Sequence, residues 1–560
     1  MLFSVILPLI GALYPAVFAT PEVHIGHTTL LGKDVTGLGQ DFFGGKDQVL
    51  NEWRDRIPFA EPPIGQLRLA PPVCMKELPS GKFDASKYGA ACLQPNISNV
   101  SEDCLTINVF RPSGLKPGAD LPVLFWTYGG GFLYGTSAMY DGSRIVAQSM
   151  ARGTPLIYVN FNYRLGPLGY PQGREAEKHG ALNLGIKDQL AALEWVHDNI
   201  YYFGGDKGKV TLLGQSAGSM MTAILLLNPK LNKLARGAIL ESGMAASLLS
   251  FNGLRRDKDW THFVGSVASC TNTVHSNDTF GCLKNAKSSD IFTGLLAAID
   301  EAPEMFSFLP AIDGPGGVYP DIASRLLSKG QFAHLPTLVG TNLDEGTFLS
   351  RTDFSSEQAL KDYIIANYTP SVRAPEELVD VVDKLLQLYP NVPALGSPYN
   401  TGNETFGFNS VYKQGAAIMG DIFFQSQRRY WTKTAAKHGI KSYAYLFTQA
   451  QPNKPPFLGV GHGAELSLVF GLPLVGVPLD NSTSATTLSR TMINYWISFV
   501  TSLDPNDGRG MQRPHWCEYT TTQQDIMQLN GNDLKMIPDN YREKQISFIN
   551  SFPAIFHHRR

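Results

Sequence analysis

The chain has 560 residues, 43% of them hydrophobic and 11% aromatic, enough to bury a large core. Its 47 basic and 49 acidic residues leave a formal charge of -2, which gives no electrostatic case for nucleic acid or an anionic membrane surface as partner. Residues 1–19 are apolar and carry no charged side chain, with Val17 and Ala19 flanking a cleavage point before Thr20. They read as a secretory signal, and no later run is long enough to span a bilayer.

From 24 to 50 the chain is glycine-punctuated and partly β-like, and 57–72 is proline-rich, as irregular structure over a sheet edge would be. Residues 105–110 alternate like a strand. Residues 121–127 form a continuous apolar run that ends at Tyr128-Gly129-Gly130-Gly131-Phe132, and 155–163 read as another strand. Helical spacing covers 184–200, with Leu190, Leu193, Trp195 and Val196 among polar residues, and Phe203-Gly204-Gly205-Asp206 breaks it. A short apolar strand at 210–213 then runs into Gly214-Gln215-Ser216-Ala217-Gly218, and 220–227 is apolar and free of Gly and Pro, as a packed helix would be. Further strands are expected at 238–241, 337–340 and 442–447, and helices at 289–308, 355–388 and 488–503, the first two as a cap or helical lobe. Strands alternating with helices predict an α/β fold around a large, mostly parallel sheet. With no repeat and no interdomain linker, 20–560 reads as one continuous domain.

Strand, tight turn and helix are the context that a G-x-S-x-G nucleophile turn needs. A serine hydroxyl is a weak nucleophile at neutral pH, so it needs a base, a group to hold that base, and donors for the oxyanion that forms. The order in this fold type is serine, acid, histidine. Among the eight histidines after Ser216, His557 and His558 sit in a basic tail placed to fray, and His262, His275, His334, His438 and His515 lie in polar or helix-end settings. His462 lies in Gly459-Val460-Gly461-His462-Gly463-Ala464-Glu465, a glycine-flanked loop able to carry an imidazole to the mouth of a sheet. Asp344-Glu345-Gly346 follows the strand at 337–340, and the pattern does not choose between its two acids. Gly129 to Gly131, directly after a buried strand, can turn backbone N–H groups towards a reacting oxygen, and the amide of Ala217 adds another donor.

Six cysteines suit an oxidising compartment. Cys92/Cys104 and Cys270/Cys282 are close pairs, and a bond closing either loop would add roughly 3 kcal/mol. Cys74 and Cys517 are left over, paired with each other or as thiols. Sequons begin at Asn96, Asn99, Asn277, Asn367, Asn403 and Asn481, as in a secreted glycoprotein.

Several long stretches in register resemble the type-B carboxylesterase/lipase family, which includes cholinesterases, and in particular its fungal, Candida rugosa-type branch. They are Phe203-Gly204-Gly205 through 210–218, Ser101-Glu102-Asp103-Cys104-Leu105, residues 57–72, Asn162-Tyr163-Arg164, Asp188-Gln189 and Asp344-Glu345-Gly346. The resemblance covers nearly the whole mature chain. It implies an α/β-hydrolase fold and an ester hydrolase without cofactor or metal, acting on small-molecule or lipid esters. It implies Ser216 as nucleophile, Glu345 as acid and His462 as base, with Gly130, Gly131 and Ala217 as oxyanion donors. It also implies disulfides Cys92–Cys104 and Cys270–Cys282 and structural ion pairs Arg68–Glu102 and Arg164–Asp188. Two departures stand out. Gln215 replaces the glutamate that many members carry, which removes a negative charge near the imidazole and should shift the pH optimum. Only eleven mostly polar residues separate Cys92 from Cys104, where the lipases of this branch have a long mobile lid. That favours an esterase over a lipase or sterol esterase activated at a lipid interface. A third reading, a non-catalytic adhesion-type homologue, requires loss of the triad, and all three members are present. Phe132, Leu133, Tyr134, Phe306, Phe308 and Leu309 are candidate pocket lining, each equally suited to ordinary core.

Overall fold

The computed structural model describes residues 20–45, 56–247, 253, 257–276, 278–301, 306–368, 375–471 and 482–557. The expected signal at 1–19, Asn277, Asn481 and His558 lie outside the described residues.

Eleven strands build the main sheet: β1 (Lys33–Val35), β2 (Gln40–Phe43), β3 (Ile107–Pro112), β4 (Leu121–Thr127), β5 (Ile157–Phe161), β6 (Gly205–Gln215), β7 (Gly237–Glu241), β8 (Thr337–Asn342), β9 (Ser442–Phe447), β10 (Asp525–Leu529) and β11 (Lys535–Pro538). They lie in the order β11-β10-β9-β8-β7-β6-β4-β5-β3-β2-β1. The seven from β5 to β10 in this order are parallel, and antiparallel strands extend both edges. Every residue of β7, β8 and β9 is buried, which is why these strands read as apolar runs rather than alternating ones. Helices Leu184–Asn199 and Ala217–Leu226 pack together on the sheet, and Ser143–Ala151 and Thr483–Ser502 form a second such pair. This is the α/β-hydrolase fold. Strand order reverses around β4, with β5 on one side and β6 on the other, and α/β sheets bind ligands beyond the strand C-termini at such a switch point.

The expected helix at 289–308 spans Ser288–Asp300, and Phe306 and Phe308 are not helical; Pro303 cannot continue a helix. The expected helix at 355–388 is two helices, Glu357–Tyr368 and Pro375–Leu388, the second opened by Pro375, which suits a first helical turn but not a helix interior. The tail histidine His557 is not frayed: it is buried against Tyr430 and bonds Asn550 at 3.2 Å.

Cys92–Cys104 and Cys270–Cys282 are bonded, while Cys74 is an exposed thiol and Cys517 a half-buried one. Arg68 grips Glu102 through two bonds of 2.6 and 2.7 Å, and Arg164 grips Asp188 through two of 2.9 and 2.7 Å. Both pairs are buried, and a fork-to-fork geometry offsets part of their desolvation. Of the sequon asparagines, Asn96 and Asn403 are exposed and Asn99 is half-buried.

Candidate active site

Ser216 sits at the end of β6, one residue before the helix Ala217–Leu226. Its backbone has φ 54° and ψ -127°, a strained conformation that throws the side chain clear of the turn. The flanking glycines are required by packing. A Cβ on Gly214 would lie 2.5 Å from the carbonyl oxygen of Gly218, and one on Gly218 would lie 2.1 Å from that of Thr127, the last residue of β4. Strand β7 fixes the turn from the other side, since Glu241 O accepts the Ser216 N–H at 2.9 Å.

Glu345 follows β8 and His462 follows β9, so three parallel strands deliver three side chains to one edge. The Ser216 hydroxyl is 2.7 Å from His462 Nε2, and His462 Nδ1 is 2.6 Å from Glu345 Oε2. With its proton on Nδ1, the imidazole donates to the carboxylate and accepts from the serine. Glu345 is buried, and its second oxygen accepts the Ser242 hydroxyl at 2.5 Å and the Asn342 N–H at 2.7 Å. These donors hold the carboxylate in place. Phe348 stacks on the imidazole at 4.6 Å and Phe424 lies tilted at 4.8 Å, so two aromatic rings pack against it.

The glycine loop passes directly beside Ser216: a Cβ on Gly129 would fall 2.8 Å from Ser216 Cβ. Gly130 and Gly131 have φ of 111° and 61°, a region that favours glycine. A Cβ on Gly131 would collide with the Phe306 ring at 2.2 Å. Phe306 therefore lies at this loop, and Tyr134 is 38% exposed near its end, whereas Phe132, Leu133, Phe308 and Leu309 are core. Ala217 opens the helix, where unpaired N–H groups and the helix dipole favour negative charge. Gln215 is buried with its amide against Gly129 and Gly463, between the two glycine loops. A small cavity of about 50 Å³ borders His462, lined by Thr347, Phe348, Leu458 and Ala464 among others. A larger hollow of about 800 Å³, lined by Cys74, Glu194 and Trp195, touches none of Ser216, Glu345 and His462.

Sequence reasoning missed Ser242, Asn342, Phe348 and Phe424. Ser242 had one signal: it stands at the C-terminal end of a parallel strand adjacent to the one that leads to Ser216. Asp344 does not face the imidazole. Its oxygens accept from Ser397 Oγ at 2.9 Å and from the N–H groups of Tyr399 and Val460 at 2.8 and 2.9 Å.

The sequence profile described as "Carboxylesterase family" matches residues 29–549. "Lipase 2" of Geotrichum candidum is 33% identical over 542 residues, covering 88% of this chain and 90% of that protein. "Secreted triacylglycerol lipase LIP1" of Gibberella zeae is 34% identical over 536 residues, covering 88% and 86%. Among solved structures, the Aspergillus niger esterase EstA superposes with a TM-score of 0.81 at 26% identity, covering 96% of this chain and 99% of that one. A profile match over this span, with relatives and a solved esterase fold that agree along almost the whole length, establishes that the chain belongs to the carboxylesterase family of ester hydrolases.

Proposed function

We propose that this protein is a secreted serine ester hydrolase that works through an acyl-enzyme, with Ser216, His462 and Glu345 as its triad. The observation that carries this reading is the unbroken relay of two short bonds, Ser216 Oγ to His462 Nε2 and His462 Nδ1 to Glu345 Oε2. His462 takes the serine proton as Oγ bonds to the ester carbon, and the carbonyl electrons move onto oxygen. The amides of Gly130, Gly131 and Ala217 hold that oxyanion. As the carbon–oxygen bond to the alcohol breaks, His462 Nε2 protonates the leaving oxygen. Water, deprotonated by the same nitrogen, then repeats the sequence on the acyl-enzyme and frees the acid and Ser216. Glu345 keeps the imidazole oriented and stabilises its cation.

We further infer a 1–19 leader followed by one α/β-hydrolase domain over 20–560, exported from the cell. Support comes from a main sheet that draws its strands from Lys33 through Pro538, from two disulfides, and from relatives whose names describe secreted lipases. Among the described residues no helix is long and apolar enough to cross a membrane.

The loop between Cys92 and Cys104 favours an esterase over a lipase. Besides the disulfide, Gln94 exchanges two bonds of 2.8 Å with Gly135, and Arg56 and Arg68 hold Asp103 and Glu102. A short loop fixed at this many points is a poor lid. The lipase reading keeps the support of the Geotrichum and Gibberella relatives. The test is hydrolysis of p-nitrophenyl acetate by wild type and Ser216→Ala. The proposal expects turnover by the first alone, and equal turnover by both would overturn it.

A further inference from the structure

Asp344 and Glu345 are adjacent acids with opposite orientations. Glu345 reaches the imidazole, whereas Asp344 reaches the loop on which the imidazole rides. Asp344 Oδ2 accepts the Val460 N–H at 2.9 Å, two residues before His462. The backbone repeats the connection: the Asp344 N–H donates to Val460 O at 3.0 Å, and Asp344 pairs with Gly461 as an isolated parallel bridge. Gly459 has φ 55°, and a Cβ there would lie 2.5 Å from the same Oδ2. The loop therefore folds directly onto this oxygen. On the other side, Oδ1 takes the Ser397 hydroxyl and the Tyr399 N–H. Every partner is a donor, so the pocket fits an anion with two acceptor oxygens. Burial pushes the Asp344 carboxyl up, and these hydrogen bonds oppose it. An amide in its place must turn its NH₂ towards either Val460 N–H or Tyr399 N–H, setting donor against donor.

We propose that Asp344 is a positioning residue for ester hydrolysis: it fixes the turn from Gly459 to Gly463 and so holds His462 Nε2 at bonding distance from Ser216. The proposal rests on the reading of His462 as the base. A shift of the loop lengthens the serine–imidazole bond without touching where an ester docks, so the effect belongs in kcat rather than KM. Misplacement of a catalytic group by about 1 Å costs on the order of 10²-fold.

The experiment measures kcat and KM for p-nitrophenyl acetate in wild type, Asp344→Asn, Gly459→Ala and Ser216→Ala, with near-UV circular dichroism confirming native packing. Gly459→Ala presses a methyl group onto the same carboxylate oxygen and serves where Asp344→Asn does not accumulate. The expected result is a kcat lower by roughly 10²-fold in folded Asp344→Asn and Gly459→Ala, with KM within about twofold of wild type, and no turnover by Ser216→Ala. A natively folded Asp344→Asn or Gly459→Ala with wild-type kcat, beside an inactive Ser216→Ala, would overturn this proposal alone. A Ser216→Ala as active as wild type would overturn the triad reading, and this proposal with it.

Discussion

Behind the imidazole lie two more buried carboxyls, and they make a prediction about pH. Glu465 Oε2 accepts from the Asn342 amide, and Glu241 Oε1 accepts the Trp496 indole N–H at 2.6 Å. Among the described residues, Glu465 Oε1 and Glu241 Oε2 have no hydrogen-bond partner. Desolvation first, and then the charge of Glu345, push Glu465 up to about 7; desolvation and the charge of Glu465 push Glu241 up as well. A carboxyl whose folded pKa is raised binds its proton more tightly in the native state than in the unfolded chain. Its contribution to stability is therefore fully present below the unfolded value of about 4.3 and is lost as pH climbs towards 7. Glu465→Gln removes that loss. Its stability relative to wild type should rise across this window by up to ~1.4 kcal/mol per pH unit, measured by urea unfolding at pH 4.5 to 7.5. Parallel curves for the two proteins would contradict the assignment. At this scale the sequence was readable where a residue sits in a motif, as for Ser216 and His462. The residue pattern was silent on the choice between Asp344 and Glu345, which only the family resemblance made. Both are polar residues in the turn after one strand, and only the loop from Gly459 to Gly463, more than a hundred positions away, distinguishes their roles.

The strand–turn–helix element around Ser216 was legible because all of its determinants are local: an apolar strand, two glycines and an apolar helix. Its glycines mark backbone packing as well as a turn. Gly218→Ala places a methyl group 2.1 Å from Thr127 O, so β4, the elbow or both must move. The expected cost is about 1–3 kcal/mol, with lost activity because the glycine loop beside Ser216 follows Thr127 closely. Gly180→Ala is a fair control, since its own φ of 62° strains any side chain while no atom lies within 4 Å. An unfolding midpoint for Gly218→Ala no lower than that of the control would refute the packing argument. The rod of Val411–Gly420, the π-helical Asp421–Gln425 and Ser426–Lys437 was not foreseen. Its first two segments are buried at every position, so no apolar stripe alternates with a polar one to give a helical period. Polar residues inside it are matched by distant partners: Arg428 by Asp539, Asp421 by Arg542 and Tyr389. These contacts cannot be inferred from a local window.

Over the whole molecule, the alternation of strands and helices announced an α/β sheet, but not the strand order. That order is set by long crossovers and by the edge strands β1 and β11, which are too short to stand out. The order is what converts residues at 216, 345 and 462 into neighbours, through β6, β8 and β9. The pinned loop between Cys92 and Cys104 also acts at this scale, because a loop so short and so fixed is a poor flap to open at a lipid surface. Tributyrin hydrolysis should therefore rise smoothly and saturate through the solubility limit, and a sharp increase there would show interfacial activation. The central claim, that Ser216 is the nucleophile of an acyl-enzyme, is tested most directly by titrating the protein with a p-nitrophenyl alkylphosphonate and locating the adduct by mass spectrometry. We predict one phosphonyl group per chain, on the peptide containing Ser216, with p-nitrophenol released and esterase activity lost in equal proportion. Activity that survives complete modification of Ser216, or an adduct on another residue that tracks the loss of activity, would contradict it.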